Sequence, residues 1–166
     1  MFDLKPLSKE AIPRALERAE RYRLLNEPRV AESICRDILR TEPEHQQALI
    51  TLILAMTDKF SREDSAALTK QALALIPQLR VEYERAYYTG IIYERQGKAK
   101  LAQNLPGAGF NAYDLLRAAM SWFEKAEALQ PPGNEDAVLR WNTCARIIMD
   151  HHLTPRPEES FEPALE

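Results

Sequence analysis

Apolar residues recur at three- and four-residue intervals along most of the chain, and the runs are cut at spaced prolines. Ile12, Leu16 and Ala19 mark one helical face, and Ala31, Ile34, Cys35, Ile38 and Leu39 mark another. Between Pro28, Pro43, Pro77, Pro106 and the pair Pro131-Pro132, the segments are rich in Ala, Leu, Glu, Arg and Gln, which favour helix. No stretch alternates β-branched and polar residues over a strand's length. The pattern predicts an all-α chain of seven helices. The first runs from Ser8 to about Leu25, with its regular part beginning near Ile12 because Pro13 suits a first turn. The second runs from Pro28 to about Arg40, and the third from about His45 to Thr57. The fourth opens on Ser61-Arg62-Glu63-Asp64, read as a capping box, and ends before Pro77. The fifth spans about Leu79 to Gln96 with Gly97 as its stop. The sixth spans about Asn111 to Leu129. The seventh starts near Asn134-Glu135-Asp136, whose carboxylates suit a helix N-terminus, and ends near Asp150.

The punctuation is periodic. Pro43 and Pro77 each close a second helix and lie 34 residues apart. A small residue, a large one four later, a second small one three after that and a closing proline recur as Ala119, Phe123, Ala126 and Pro131. The places are filled by Ala31, Cys35, Ile38 and Pro43 in one unit, and by Ser65, Thr69, Ala72 and Pro77 in the next. The first helix of the last unit carries Ala86, Gly90, Tyr93 and Gly97. Two helices per 34 residues with this order of small and large positions resembles the tetratricopeptide repeat (TPR) family, over about Ile12 to Ala145. The resemblance implies a superhelical array of antiparallel helix pairs with a C-terminal capping helix. Its units would be about 12–45, 46–79 and 83–133, with the cap at 134–150, all in a single domain over 1–150. Cys35 and Thr69 depart from the usual aromatic, and Ile38 from the usual Ala. The third unit carries 17 extra residues between its helices, near 98–114. There helix five is expected to run on by a turn or two, with a loop at Pro106–Phe110 and a lengthened helix six.

Length and charge narrow the function. The chain has 166 residues, 45% apolar and 28% charged, which suits one globular domain and not a disordered chain. Lys plus Arg total 22 and Asp plus Glu 25. The excess of −3 sits after Asp150, where four glutamates face Arg156, so Met1–Asp150 is neutral. A neutral body with pI near 5.7 lacks the basic footprint of direct nucleic-acid binding. Scattered cations argue against membrane-surface binding, and no apolar run is long enough to span a bilayer. The first residues lack a signal-peptide pattern, so the cytoplasm is the expected location.

Candidate chemistry is sparse. Pro106-Gly107-Ala108-Gly109-Phe110 lacks the Gly-Lys-Ser/Thr ending and preceding strand of a phosphate cradle and reads as a turn. Adjacent His151 and His152 point about 100° apart if helical, which disfavours a shared metal ion. Cys35 and Cys144 sit among apolar neighbours and read as small buried hydrophobes. The carboxylates interleave with arginines at helical spacing, as on solvated faces. No catalytic residue, metal set or cofactor site is identified, and the expectation is a non-catalytic protein.

In a tetratricopeptide array the first helices line a concave groove. By register the resemblance implies that Leu16 and Glu20, Gln47, Ile50, Thr51 and Leu54, and Glu84, Tyr87, Tyr88, Ile91 and Arg95 face it. The cap adds Val138, Asn142 and Arg146. Tyr87, Tyr88 and Ile91 are the expected anchors for a peptide or partner helix; packing in the core is the competing role for each. The places matching the family's clamp for acidic chaperone tails read Leu16, Glu20, Thr51, Glu84 and Tyr88, without a cation, so that function is not expected. The implied role is a scaffold or adaptor that binds a protein or peptide. Self-association through the terminal helices, or regulation through a protein partner, are the alternatives. Residues 151–166, rich in Pro and Glu, read as a disordered tail, in which Phe161 could fold back as a plug.

Overall fold

The computed structural model describes residues 1–158. Among them the helices are α1 (Ile12–Leu24), α2 (Pro28–Thr41), α3 (Gln46–Asp58), α4 (Ser65–Leu75), α5 (Glu82–Gln103), α6 (Ala108–Leu129) and α7 (Asp136–Asp150). Single 3-10 turns at Lys9–Ala11 and Ile76–Gln78 precede α1 and follow α4. No strand occurs among the described residues, and no helix there is long and apolar enough to cross a membrane.

Each helix packs on the next in sequence. The odd-numbered helices also touch one another, α1 on α3, α3 on α5 and α5 on α7, while the even-numbered ones make at most marginal contact. The odd-numbered helices therefore form the tighter layer. Polar side chains stitch the row at close to the period read from the sequence. The Thr41 hydroxyl donates to the Leu7 carbonyl at 2.7 Å, Arg29 pairs with Glu63, and the Arg80 N–H donates to Gln46 Oε1 at 2.9 Å, each pair 34 residues apart.

The residues that set the repeat are the ones the row seals. Ala19, Ala31, Cys35, Ile38, Ala72, Ala119, Phe123 and Ala126 have no exposed surface. Small residues let the axes close, and the large ones fill the space between units. The tightest approach is α5 on α6, where Gly90 lies against the ring of Phe123 and Gly97 against Leu115 and Leu116. Burial of Phe123 alone contributes about 2–3 kcal/mol of transfer free energy. α3 is apolar nearly all round, with Ala48 through Ile53 and Ala55 through Thr57 buried, and it forms the centre of the larger core with Phe60, Leu79 and Ile92.

Four local expectations change. The cap of α4 is Asp64, whose Oδ1 accepts from the N–H groups of Ala66 and Ala67 at 3.1 and 3.4 Å. Ser61 and Glu63 instead lie in the preceding turn, so the expected capping box starts three residues early. Gly97 does not end α5, because it faces Leu115 and Leu116 in mid-helix. The helix runs on to Gln103, and Asn104 closes it with a left-handed φ of 51°. The turn is Asn104–Gly107, shorter than the expected loop, and Ala108–Phe110 already belong to α6. After α7 the chain turns back at His152 (φ 51°), Leu153 reaches Gly109, and the Arg156 guanidinium lies 5.1 Å from the Phe110 ring centroid. Leu153–Arg156 thus rest on the start of α6, where a disordered tail is expected. The suggested plug, Phe161, lies outside the described residues.

Candidate functional site

The odd-numbered layer gathers aromatic and charged side chains from α1, α3, α5 and α7. On α5, Tyr83 stacks on Tyr87 with centroids 5.7 Å apart, and Tyr87 meets Tyr88 edge-on at 5.1 Å and Phe123 at 5.9 Å. The Tyr83 hydroxyl donates to Asn134 Oδ1 at 3.4 Å, and the same oxygen caps α7 by accepting from the Asp136 N–H at 3.1 Å. Burial pushes the Tyr88 phenol up to about 12 and raises Tyr87 as well; at Tyr87 the Arg140 guanidinium opposes the rise. Leu54 and Tyr88 are half-buried and pack against both larger cores.

Next to the tyrosines runs a chain of ionic contacts. Arg23 of α1 grips Asp58 of α3 with Nε at 2.7 Å and Nη2 at 3.2 Å. Arg95 of α5 reaches the same carboxylate with Nη1 at 2.6 Å and the Thr57 hydroxyl at 2.9 Å. Burial lowers the pKa of Arg95, and Arg23 and Arg140 push it the same way, against the attraction of Asp58. The residue before Arg95, Glu94, is wholly buried. The Cys144 thiol donates to its Oε1 at 3.6 Å, and Lys98 Nζ and Arg140 Nη2 both stand 3.5 Å from its Oε2. Burial, and then the Glu94 charge, push the Cys144 thiol up to about 12, so it is a protonated donor and not a nucleophile.

Arg95, Lys98, Arg140 and Thr57 also line a cleft of about 420 Å³ between α3, α5 and α7, with Arg23, Asp58, Glu94 and Cys144 outside its wall. Thr57 and Ser61 border it on one side, Arg95, Lys98 and Ala102 on another, and Arg140 on the third. A second, more apolar groove of about 680 Å³ lies where the end of α4 meets α5 and α6, with Pro77, Arg85 and Trp122 in its wall. There Lys125 Nζ sits 4.0 Å over the Trp122 ring. Among the described residues no group of three or more His, Cys, Asp or Glu side chains is placed to hold a metal ion.

The residues expected to face a groove divide. Ile50 and Ile91 are 5% and 2% exposed and belong to the core, because the close odd-numbered layer covers them. Leu16 is half-buried against the small core of Ile12, Ile38 and Ala48. Glu20 and Gln47 are exposed and joined to each other at 3.4 Å. Glu84, Tyr87, Tyr88 and Asn142 are partly exposed, Arg146 is exposed, and Arg95 lines the cleft. The sequence reading missed Arg23, Asp58, Glu94, Lys98 and Arg140. A signal was present: Arg23 and Asp58 are 35 apart, and Asp58 and Arg95 are 37 apart, opposite charges at nearly the repeat distance.

Comparison with family models, with curated proteins and with solved structures found no match for this chain.

Proposed function

We propose that the chain is a tetratricopeptide-like interaction module, a non-catalytic scaffold or adaptor of the cytoplasm. In this reading the row of helix pairs bends toward its tighter, odd-numbered side and holds a peptide segment or partner helix there. The observation that carries it is the continuity of that layer. Half-buried Leu54, Tyr87 and Tyr88 adjoin Arg140 and the charged cleft, so apolar anchors and ionic groups face the same side. Rigid aromatics beside charged groups suit a segment bound along several side chains.

The test places a photo-crosslinking side chain at Gln47, exposed on α3, and at Ala66, exposed on α4 of the other layer. A protein joined through Gln47 and not through Ala66 supports the reading. Equal products from both positions, or none from Gln47, count against it.

Self-association has one observation in its favour: α7 leaves Leu139 and Met149 63% and 62% exposed. Light scattering over a hundredfold range of concentration decides it. A mass fixed at 19.0 kDa removes this second reading.

A further inference from the structure

The cleft between α3, α5 and α7 holds more positive charge than its own carboxylates neutralise. Among the described residues, Arg95, Lys98 and Arg140 of its wall and Arg23 behind them form ion pairs with only Asp58 and Glu94, so the network has four cations to two anions. The two groups nearest the opening are also the loosest. Lys98 and Arg140 stand 3.5 Å from Glu94, against about 2.7–2.9 Å for a charge-assisted hydrogen bond. Both side chains reach solvent, Lys98 at 43% and Arg140 at 29% exposure, and Arg140 also contacts the Tyr87 side chain. Arg95 commits one nitrogen to Asp58 and Thr57, and a guanidinium carries further donors. Glu94 has no exposed surface beneath the cations it holds, and its charge is already counted against theirs. Phe60, Ala99 and Ala102 make the rest of the wall apolar, which strengthens any ionic contact formed inside.

We propose that this cleft takes the phosphate of a phosphorylated serine or threonine on the partner segment. The proposal rests on the reading of the odd-numbered layer as a binding surface and adds the chemistry of the ligand. A phosphate monoester carries about −1.5 to −2 at neutral pH and three acceptor oxygens, which match a local surplus of two charges and donors on three sides. A carboxylate supplies one charge and leaves the other uncompensated. Arg140 and Arg95 offer planar forks to two oxygens, Lys98 a point charge to the third, and Ser61 a hydroxyl at the rim.

The experiment follows backbone amides of the isotopically labelled full chain by NMR. The probes are three capped peptides, Ala-Leu-X-Leu-Ala, in which X is phosphoserine, glutamate or serine. The phosphopeptide is expected to give saturable shifts at Thr57, Ser61, Lys98, Ala99 and Ala102. The glutamate peptide is expected to bind about fivefold weaker or worse, from the loss of one charge and one acceptor, and the serine peptide to give no saturable shift. Lys98→Glu should weaken the phosphopeptide by about tenfold or more, consistent with reversing a close charge. Ser61→Asp, in an exposed turn and outside the Glu94 contacts, should weaken it while leaving the spectrum native. Equal binding of the glutamate peptide, shifts confined to other surfaces, or no saturable shift overturns the proposal. A full chain carrying Glu158→Gln and Glu162→Gln covers the remaining occupant. If these changes alone move the cleft amides and the phosphopeptide still fails, the cleft belongs to the chain's own acidic end and the proposal falls. The titration needs no cellular partner. A failed titration beside a partner still captured through Gln47 removes the phosphate and leaves the module standing.

Discussion

A methyl group on Gly90 would stand 2.5 Å from Cε1 of Phe123, and 2.7 and 2.9 Å from Cδ1 and Cζ of the same ring. Phe123 has no exposed surface, so the ring has little space to yield. Alanine is the better helix former by about 1 kcal/mol, yet overpacking costs about 1–3 kcal/mol. A contact of 2.5 Å places Gly90→Ala at the upper end of that cost, about 2–3 kcal/mol, so the net expected destabilisation is about 1–2 kcal/mol in urea unfolding. Adding Phe123→Leu to Gly90→Ala should remove part of the clash, so the two changes should cost less together than their sum. A neutral or stabilising Gly90→Ala would show that the two helices part easily.

Asp58 holds arginines from both neighbouring odd-numbered helices. Asp58→Asn leaves Arg23 and Arg95 facing each other without the charge between them. With both side chains and the carboxylate one-fifth to one-quarter exposed, solvent screening limits the cost to about 1–2 kcal/mol. A double-mutant cycle of Asp58→Asn with Arg23→Gln should give a coupling of about 0.5–1.5 kcal/mol that shrinks in 1 M salt. Coupling near zero would mean the contact is too mobile to stitch α1 to α3.

Asp64→Ala removes the side-chain acceptor of two N–H groups at the start of α4 and should cost about 1 kcal/mol. Ser61→Ala, in the turn before it, should stay within about 0.5 kcal/mol. Chemical denaturation of the two variants side by side decides between the residues as the cap.

Burial pushes Cys35, Cys144 and Tyr88 each up to about 12. All three folded-state values lie above the unfolded ones, so the folded chain holds these protons longer. The stability they contribute is complete below the ordinary thiol range. It declines as pH rises through the ordinary thiol and phenol ranges toward 12. Equilibrium unfolding from pH 8 to 11 should show this fall. At pH 8 both native thiols should react with a disulfide reagent on the order of a hundredfold slower than in urea. Rapid labelling of Cys144 in the native chain would mean that the contact with Glu94 opens readily.

The all-α class was readable because the helices are bounded by proline or polar turns and all but the nearly all-apolar α3 carry apolar residues at helical spacing. Burial of Ala31, Cys35 and Ile38 was readable for the same reason, since they share one face of a helix bounded by Pro28 and Pro43. The cap at Asp64 was not, since Ser61 and Asp64 are both good caps and the choice falls to the turn that follows Phe60. Ile50 and Ile91 were assigned to an open face from register alone; how closely successive odd-numbered helices approach decides their burial, and that distance is a tertiary quantity. The ionic chain of Arg23, Asp58 and Arg95 is legible only when charges are compared at the 34-residue period, since its spacings are 35 and 37 residues. Helical pair rules look three or four residues away.

The hinge between α5 and α6 has a consequence for the order in which the molecule assembles. Two 22-residue helices meet across the four residues from Asn104 to Gly107, with left-handed geometry at each end of the turn. Such a hairpin closes with little loss of chain entropy, and its contacts are near in sequence, so it is expected to form early and serve as the nucleus. Of the seven described helices only α7 leaves the ribosome after that nucleus. The two helix pairs before it would leave the ribosome with no formed neighbour on their C-terminal side. Pulsed hydrogen exchange on refolding chains should find α5 and α6 protected before α1 and α2.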